Sequence, residues 1–207
     1  MGISALTVRL GEFDMDDDEE IPTHEEFAAR RIIVHRNYKG QQTNDIALIE
    51  LDALVSFNSF HIIPICLPES GRNFQDQEAL VSGWGMTSNA GGVATKLQSL
   101  RVKVVSNAEC AVYPQVGSPV VVTEAHLCAG ANSSNTCFGD SGGPLVVNTN
   151  GRAVLIGIVS GVEPDCELPH QLGLYTNVSN HMDWIKENIH RNVGELTATS
   201  FTGLYTA

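Results

Sequence analysis

The chain has 207 residues, 43% of them hydrophobic and 17% charged, which is enough to bury a core and too apolar for a disordered polymer. Twelve Lys and Arg stand against 24 Asp and Glu, a formal charge of −12, and this argues against nucleic acid as a partner because phosphate binding needs basic side chains. No window nears 18 consecutive apolar residues, so no membrane-spanning segment is expected.

Met1-Gly2-Ile3-Ser4-Ala5-Leu6 has neither the basic nor the apolar part of a signal peptide, and Leu6 stands where a myristoylation signal has Ser or Thr. Strand-like alternation begins at once, so the domain reads as cut in mid-strand. Short runs rich in Val, Ile and Leu, bounded by Gly, Asn, Pro or Asp, predict strands over 6–10, 32–35, 46–51, 79–83, 97–105, 144–147, 153–160 and 174–178. Such spacing belongs to an all-β barrel or sandwich. Ser106-Asn107-Ala108-Glu109 is a capping box and predicts a short helix. Ser179 is expected to cap a second helix running to about Arg191, with Met182, Ile185 and Ile189 on one face and Trp184 beside them. Residues 191–207 lack periodicity and read as an irregular tail after a domain over 1–190.

The acid load is uneven. Residues 12–26 hold nine Asp and Glu and no Lys or Arg, which leaves 15 acids against 12 bases elsewhere. Five cysteines is an odd number, so if disulfides form one thiol is left over.

Chemistry is concentrated in Cys137-Phe138-Gly139-Asp140-Ser141-Gly142-Gly143-Pro144-Leu145. A serine between glycines can sit on a sharp turn with its hydroxyl exposed, and the N–H groups of Gly139 and Ser141 can then form an oxyanion hole. This run resembles the nucleophile segment of the trypsin/chymotrypsin family of serine endopeptidases. Thr43-Asn44-Asp45-Ile46-Ala47-Leu48, Ile65-Cys66-Leu67-Pro68, Val81-Ser82-Gly83-Trp84-Gly85 and Leu174-Tyr175-Thr176-Asn177-Val178 fall in the family's order. The resemblance covers about residues 6–190. It implies a double six-stranded β-barrel with the first barrel incomplete, a C-terminal helix, and a secreted protein acting on protein or peptide substrates.

By resemblance Ser141 is the nucleophile and Asp45 orients a histidine base. A serine hydroxyl is a weak nucleophile without such a base. The family's histidine lies in an Ala-Ala-His-Cys motif upstream of the segment matched by Val8-Arg9-Leu10-Gly11-Glu12, and none of the seven histidines stands in such a motif. His35 matches a common surface segment, His24 tempers the acidic loop, and His61, His126, His170, His181 and His190 read as loop or helix-surface residues. Asp140 matches the aspartate that pairs with the amine freed by proteolytic activation. No activation site precedes it here, so it is expected to be buried and unpaired. The chain therefore reads as truncated at its N-terminus and inactive as given. The rival reading is a non-catalytic protease homologue serving as a binding or cofactor protein.

The resemblance further implies disulfides Cys110–Cys128 and Cys137–Cys166. It leaves Cys66 as a tether for an upstream pro- or light-chain segment, or else as a buried free thiol. A further family bridge is replaced by Ala79 and Val147. The substrate pocket would be lined by Asn135, Ser160, Val162 and Gly173. Asn135 lacks the charge that selects Arg or Lys, and Val162 narrows the pocket, which favours small or medium apolar side chains as in elastase. The chemistry requires no cofactor. The acidic loop matches the family's calcium loop in position, with Glu12, Asp14 and Glu20 as candidate ligands beside the alternative of a plain solvated loop. Asn132 and Asn177 head glycosylation sequons, of which Asn132 is the better placed.

Overall fold

The computed structural model describes residues 6–40, 42–57, 60–112, 121–131, 135–161, 166–167 and 171–193. Alternating runs become two separate sheets. Strands β1 (Thr7–Leu10), β2 (Glu25–Val34) and β3 (Ala47–Leu51) form an open antiparallel sheet with β2 in the middle. β2 is ten residues long, where only 32–35 was expected. Its first half is charged on one face and so hides its alternation, yet Phe27 and Ala29 point inward. The charged face is held by cross-strand pairs. Arg9 Nε lies 2.8 Å from Glu26, and Arg31 lies 2.6 Å from Glu50, each directly opposite in register.

The remaining strands close a six-stranded barrel in the order β4 (Glu78–Gly83), β5 (Gln98–Val105), β6 (His126–Gly130), β9 (Gly173–Asn177), β8 (Arg152–Gly161) and β7 (Pro144–Thr149). The β4–β7 pairing is the closing seam, and closure leaves no free edge. The barrel is filled by Phe74, Val81, Val104, Leu145, Ile156 and Tyr175 among others. Ala79 and Val147, the two apolar replacements of a family disulfide, both lie in this core.

β6 had no counterpart among the expected strands. Its residues His126, Leu127, Cys128 and Ala129 are all buried, so it shows none of the alternation that marks a half-exposed strand. The disulfides Cys110–Cys128 and Cys137–Cys166 are formed, and Cys66 is a half-buried free thiol. The Cys66 backbone runs along β8, accepting from Leu155 N–H and donating to the Ala153 carbonyl.

Helix α1 (Asn107–Val112) follows its expected cap, the Ser106 hydroxyl accepting the Glu109 N–H at 3.1 Å. The second helix differs at its start. A 3₁₀ turn, Ser179–His181, precedes α2 (Met182–Val193), and the N-cap is Val178. The Ser179 hydroxyl instead donates to the Arg72 carbonyl and to Asn177 Oδ1. α2 also continues two residues past the expected end at Arg191. Met182 and Ile185 pack on Val178 and on Ile46, the residue after Asp45. Residues 194–207 and Asn132 lie outside the described residues.

Leu145 is fully buried at the barrel seam beside the nucleophile turn. Leu145→Ala is expected to cost about 2–5 kcal/mol, read as a lowered urea midpoint at unchanged slope.

Candidate active site

Three glycines force the turn that carries Ser141. Gly139 has φ +99° and Gly142 φ +85°, a region that residues with a Cβ rarely occupy. At Gly143 a Cβ would stand 2.8 Å from the Asp140 carbonyl oxygen and 2.9 Å from that of Ser82. The turn is pinned to the barrel by Gly142 N–H donating to the Val159 carbonyl at 2.8 Å and Val159 N–H donating to the Gly143 carbonyl at 2.9 Å. Ser141 is exposed. Among the described residues, no hydrogen-bond acceptor faces the N–H groups of Gly139 and Ser141, so both are left to meet an incoming oxygen.

Asp140 departs from the expectation of a buried, unpaired carboxylate. It is half-buried, and its two oxygens accept the N–H groups of Gly85 at 2.8 Å and Cys137 at 2.9 Å. Two backbone donors satisfy a carboxylate well without a counter-charge. Gly83 and Gly85 have to be glycine here, because a Cβ on either would run into this carboxylate. The carboxylate lies on an open cavity of about 480 Å³, lined also by Met86, Thr136 and Glu167.

Asp45 stands just before β3 and is held from three sides. Its Oδ2 accepts the Ser160 hydroxyl at 2.7 Å, and its carbonyl accepts the Thr176 hydroxyl at 2.8 Å. The preceding Asn44 has φ +55°, and its Oδ1 lies 3.2 Å from His181 Nε2. His181 is itself fixed by Nδ1, 2.7 Å from the Asn177 carbonyl. The turn that carries Ser141 and the Asp45 carboxylate are therefore tied to adjacent residues of β8, Val159 holding the turn through Gly142 and Gly143 and Ser160 holding Asp45.

No histidine among the described residues hydrogen-bonds to Asp45 or Ser141. His35 packs instead on His181 and Trp184, with ring centroids 5.6 and 5.1 Å away. Burial, and then the neighbouring His181, hold its pKa below the ordinary 6.5. His126 and His181, read from sequence as surface residues, are buried, because β6 is an interior strand and the 3₁₀ turn lies under α2. The roles of His181, Asn44 and Thr176 are tertiary contacts that no local pattern signals.

Asn135 and Gly173 are neighbours: a Cβ on Gly173 would stand 3.0 Å from Asn135 Oδ1. That oxygen accepts the Thr136 N–H at 2.8 Å, while among the described residues Asn135 Nδ2 is buried without a partner. The Tyr175 hydroxyl beside it is also buried without a partner, and burial pushes its pKa above the ordinary range. Asn135, Thr136 and Tyr175 thus put polar hydrogen-bonding groups beside Gly173. Val162 lies outside the described residues.

The acidic loop brings together only part of the candidate metal set. Glu12 and Glu20 cluster with His24, the three ligand atoms lying within 4.8 Å of one another. Asp14 turns away, its Oδ2 3.4 Å from Lys96 Nζ. Glu20 also accepts the N–H groups of Phe13 and Asp14, both at 3.0 Å, which shapes the loop. Two carboxylates and an imidazole form a poorer oxygen set than the six to eight ligands calcium takes.

The Trypsin family model matches residues 2–185. The chain is 37% identical to the serine protease filzig of Drosophila melanogaster over 190 residues, covering 89% of this chain and 11% of that protein. It is 37% identical to Trypsin-1 of Astacus astacus, covering 89% of this chain and 76% of that protein. With the CLIP domain-containing serine protease B4 of Anopheles gambiae it shares 36% identity over 88% of this chain and 54% of that protein. The chain thus spans most of one relative and a minor or middling part of the other two. Among the described residues, no helix is long and apolar enough to cross a membrane.

His126 gives this region a pH dependence. Burial outweighs the hydrogen bonds to its backbone neighbours and lowers its pKa from 6.5 in the folded chain. The unfolded chain then binds more protons in the window below 6.5, so this contribution is present above that pH and lost as pH falls through the folded value. His126→Asn keeps an acceptor for the Thr123 N–H, which Nδ1 now accepts at 3.1 Å. It is expected to flatten the loss of urea stability between about pH 7.5 and 5.5.

Proposed function

The chain belongs to the trypsin family of serine endopeptidases, and we propose that it is the part of such a domain that carries the nucleophile, the orienting aspartate and the oxyanion donors. One observation supports this most directly: Ser141 projects from a glycine-enforced turn with two free N–H groups beside it, and that turn is pinned to Val159 of β8, whose next residue, Ser160, binds Asp45.

In this reading Ser141 Oγ attacks the scissile carbonyl carbon as its proton passes to a histidine base. The oxyanion accepts the N–H groups of Gly139 and Ser141, and the base returns the proton to the leaving amine, leaving an acyl-serine that water hydrolyses. Asp45, with one oxygen bound by Ser160, keeps the base in orientation. Asp140 receives an activation amine in the cavity at its side, exchanging two neutral donors for a charged one. The substrates are proteins, the P1 side chain is uncharged because Asn135 replaces a carboxylate, and the protein acts outside the cell. Cys66, a half-buried free thiol, tethers a pro- or light-chain segment in this reading.

None of the described histidines meets Asp45 or Ser141, so the 207-residue chain alone is proposed to be inactive. Losing the base of a serine triad costs roughly 10⁶-fold in kcat. A fluorophosphonate probe is expected to leave the chain unlabelled, as it leaves Ser141→Ala. Ser141-dependent labelling would refute the inactivity. Fusion of an upstream segment bearing the Ala-Ala-His-Cys run is expected to restore labelling, and a folded fusion that stays unlabelled would count against the endopeptidase reading.

A further inference from the structure

The ends of the acidic loop meet in a way that the count of carboxylates does not describe. Glu12 follows β1 and His24 precedes β2, so the two residues close the loop at its base. The Glu12 side chain is only 6% exposed, and that of His24 only 11%. Glu12 Oε2 accepts a hydrogen bond from Arg9 at 3.0 Å and lies 3.1 Å from His24 Nδ1, which is itself buried and makes no hydrogen bond among the described residues. Glu12 Oε1, the other oxygen, is buried and accepts no hydrogen bond among the described residues. A carboxylate oxygen taken out of water without a partner is costly, and an inner-shell cation is one way to satisfy it.

The donor types select the ion. Glu12, Glu20 and His24 supply two carboxylates and one imidazole, with the ligand atoms within 4.8 Å of one another. Tetrahedral ligands at roughly 2.0–2.1 Å from zinc stand about 3.4 Å apart, so a small inward movement completes three corners and leaves the fourth to water. Imidazole nitrogen suits zinc and its neighbours, whereas calcium takes oxygens. The outer nitrogen of His24, Nε2, faces Glu26 Oε1 at 3.7 Å. A carboxylate behind the histidine is the arrangement that fixes ring orientation at zinc sites.

We propose that Glu12, Glu20 and His24 form a site for zinc or a similar nitrogen-accepting divalent ion, rather than for the calcium that the loop's position made one of two candidate readings. The ion cross-links the two ends of the 12–24 loop and fastens β1 to the start of β2. The proposal is independent of whether the chain hydrolyses peptides.

The test is calorimetric titration of the untagged, chelator-stripped chain with zinc and, separately, with calcium, alongside melting temperatures with each ion. One zinc per chain and a zinc-dependent rise in melting temperature are expected, with calcium doing neither. His24→Gln and Glu12→Gln are each expected to weaken zinc at least tenfold. Should Glu12→Gln fail to fold, His24→Asp carries the decision, since an oxygen ligand in place of nitrogen is expected to weaken zinc and strengthen calcium. Cobalt(II) in place of zinc is expected to give visible absorption bands that His24→Gln abolishes. Absence of zinc binding by the folded chain, zinc binding indifferent to His24, or calcium binding that His24→Gln leaves unchanged would each overturn the proposal.

Discussion

Closure of the six-stranded barrel at the β4–β7 seam is the constraint on which the candidate site depends. The seam brings the end of β4, with Gly83 and Gly85, against the turn that precedes β7. The Asp140 carboxylate is caught between them, accepting Gly85 N–H on one oxygen and Cys137 N–H on the other. With Asp140 fixed, the next residue is thrown outward, and Val159 of β8 pins the far side of the turn through Gly142 and Gly143. Ser141 is exposed because everything around it is held.

The open sheet reaches this site through the segment that leads into β3. Ser160 grips the Asp45 carboxylate, Thr176 its carbonyl, and Ile46 is buried under Val178, Met182 and Ile185. Helix α2 thus acts as a strap, holding the β3 entry against the barrel. Elsewhere Trp84 donates its indole N–H to the Phe13 carbonyl, and Leu97 N–H does the same. These bonds tie the acidic loop to the barrel and explain why its charge does not simply splay it open. Arg9 adds to this, lying within ion-pair distance of Glu12, Asp18 and Glu26.

Where the sequence reading succeeded, the signal was local. The glycine run around Ser141 demanded a turn, the capping box at Ser106 set a helix start, and alternation located most strands to within a few residues. Where it failed, the deciding contacts were ones that the pattern of side chains does not signal. β6 is buried on both faces, with Leu127 and Ala129 in the barrel core and Cys128 against Cys110 and Leu174, so it shows no alternation. Ser179 has the right chemistry for a cap, but Arg72 and Asn177 compete for its hydroxyl. Asp140 was expected to lack a partner because its donors, Gly85 and Cys137, are backbone groups that carry no side-chain signature.

By itself the sequence determined the all-β class and the serine turn, because turn geometry and strand periodicity are short-range properties of residue type, and its likeness to known sequences determined the family. Tertiary structure alone decided that Asp140 is satisfied, that His126 and His181 are interior, and that His24 rather than Asp14 joins Glu12 and Glu20. Those outcomes rest on which groups the fold brings together, as far apart as Asn44 and His181, 137 residues along the chain, and such meetings are settled by packing and by the need to pair buried polar atoms.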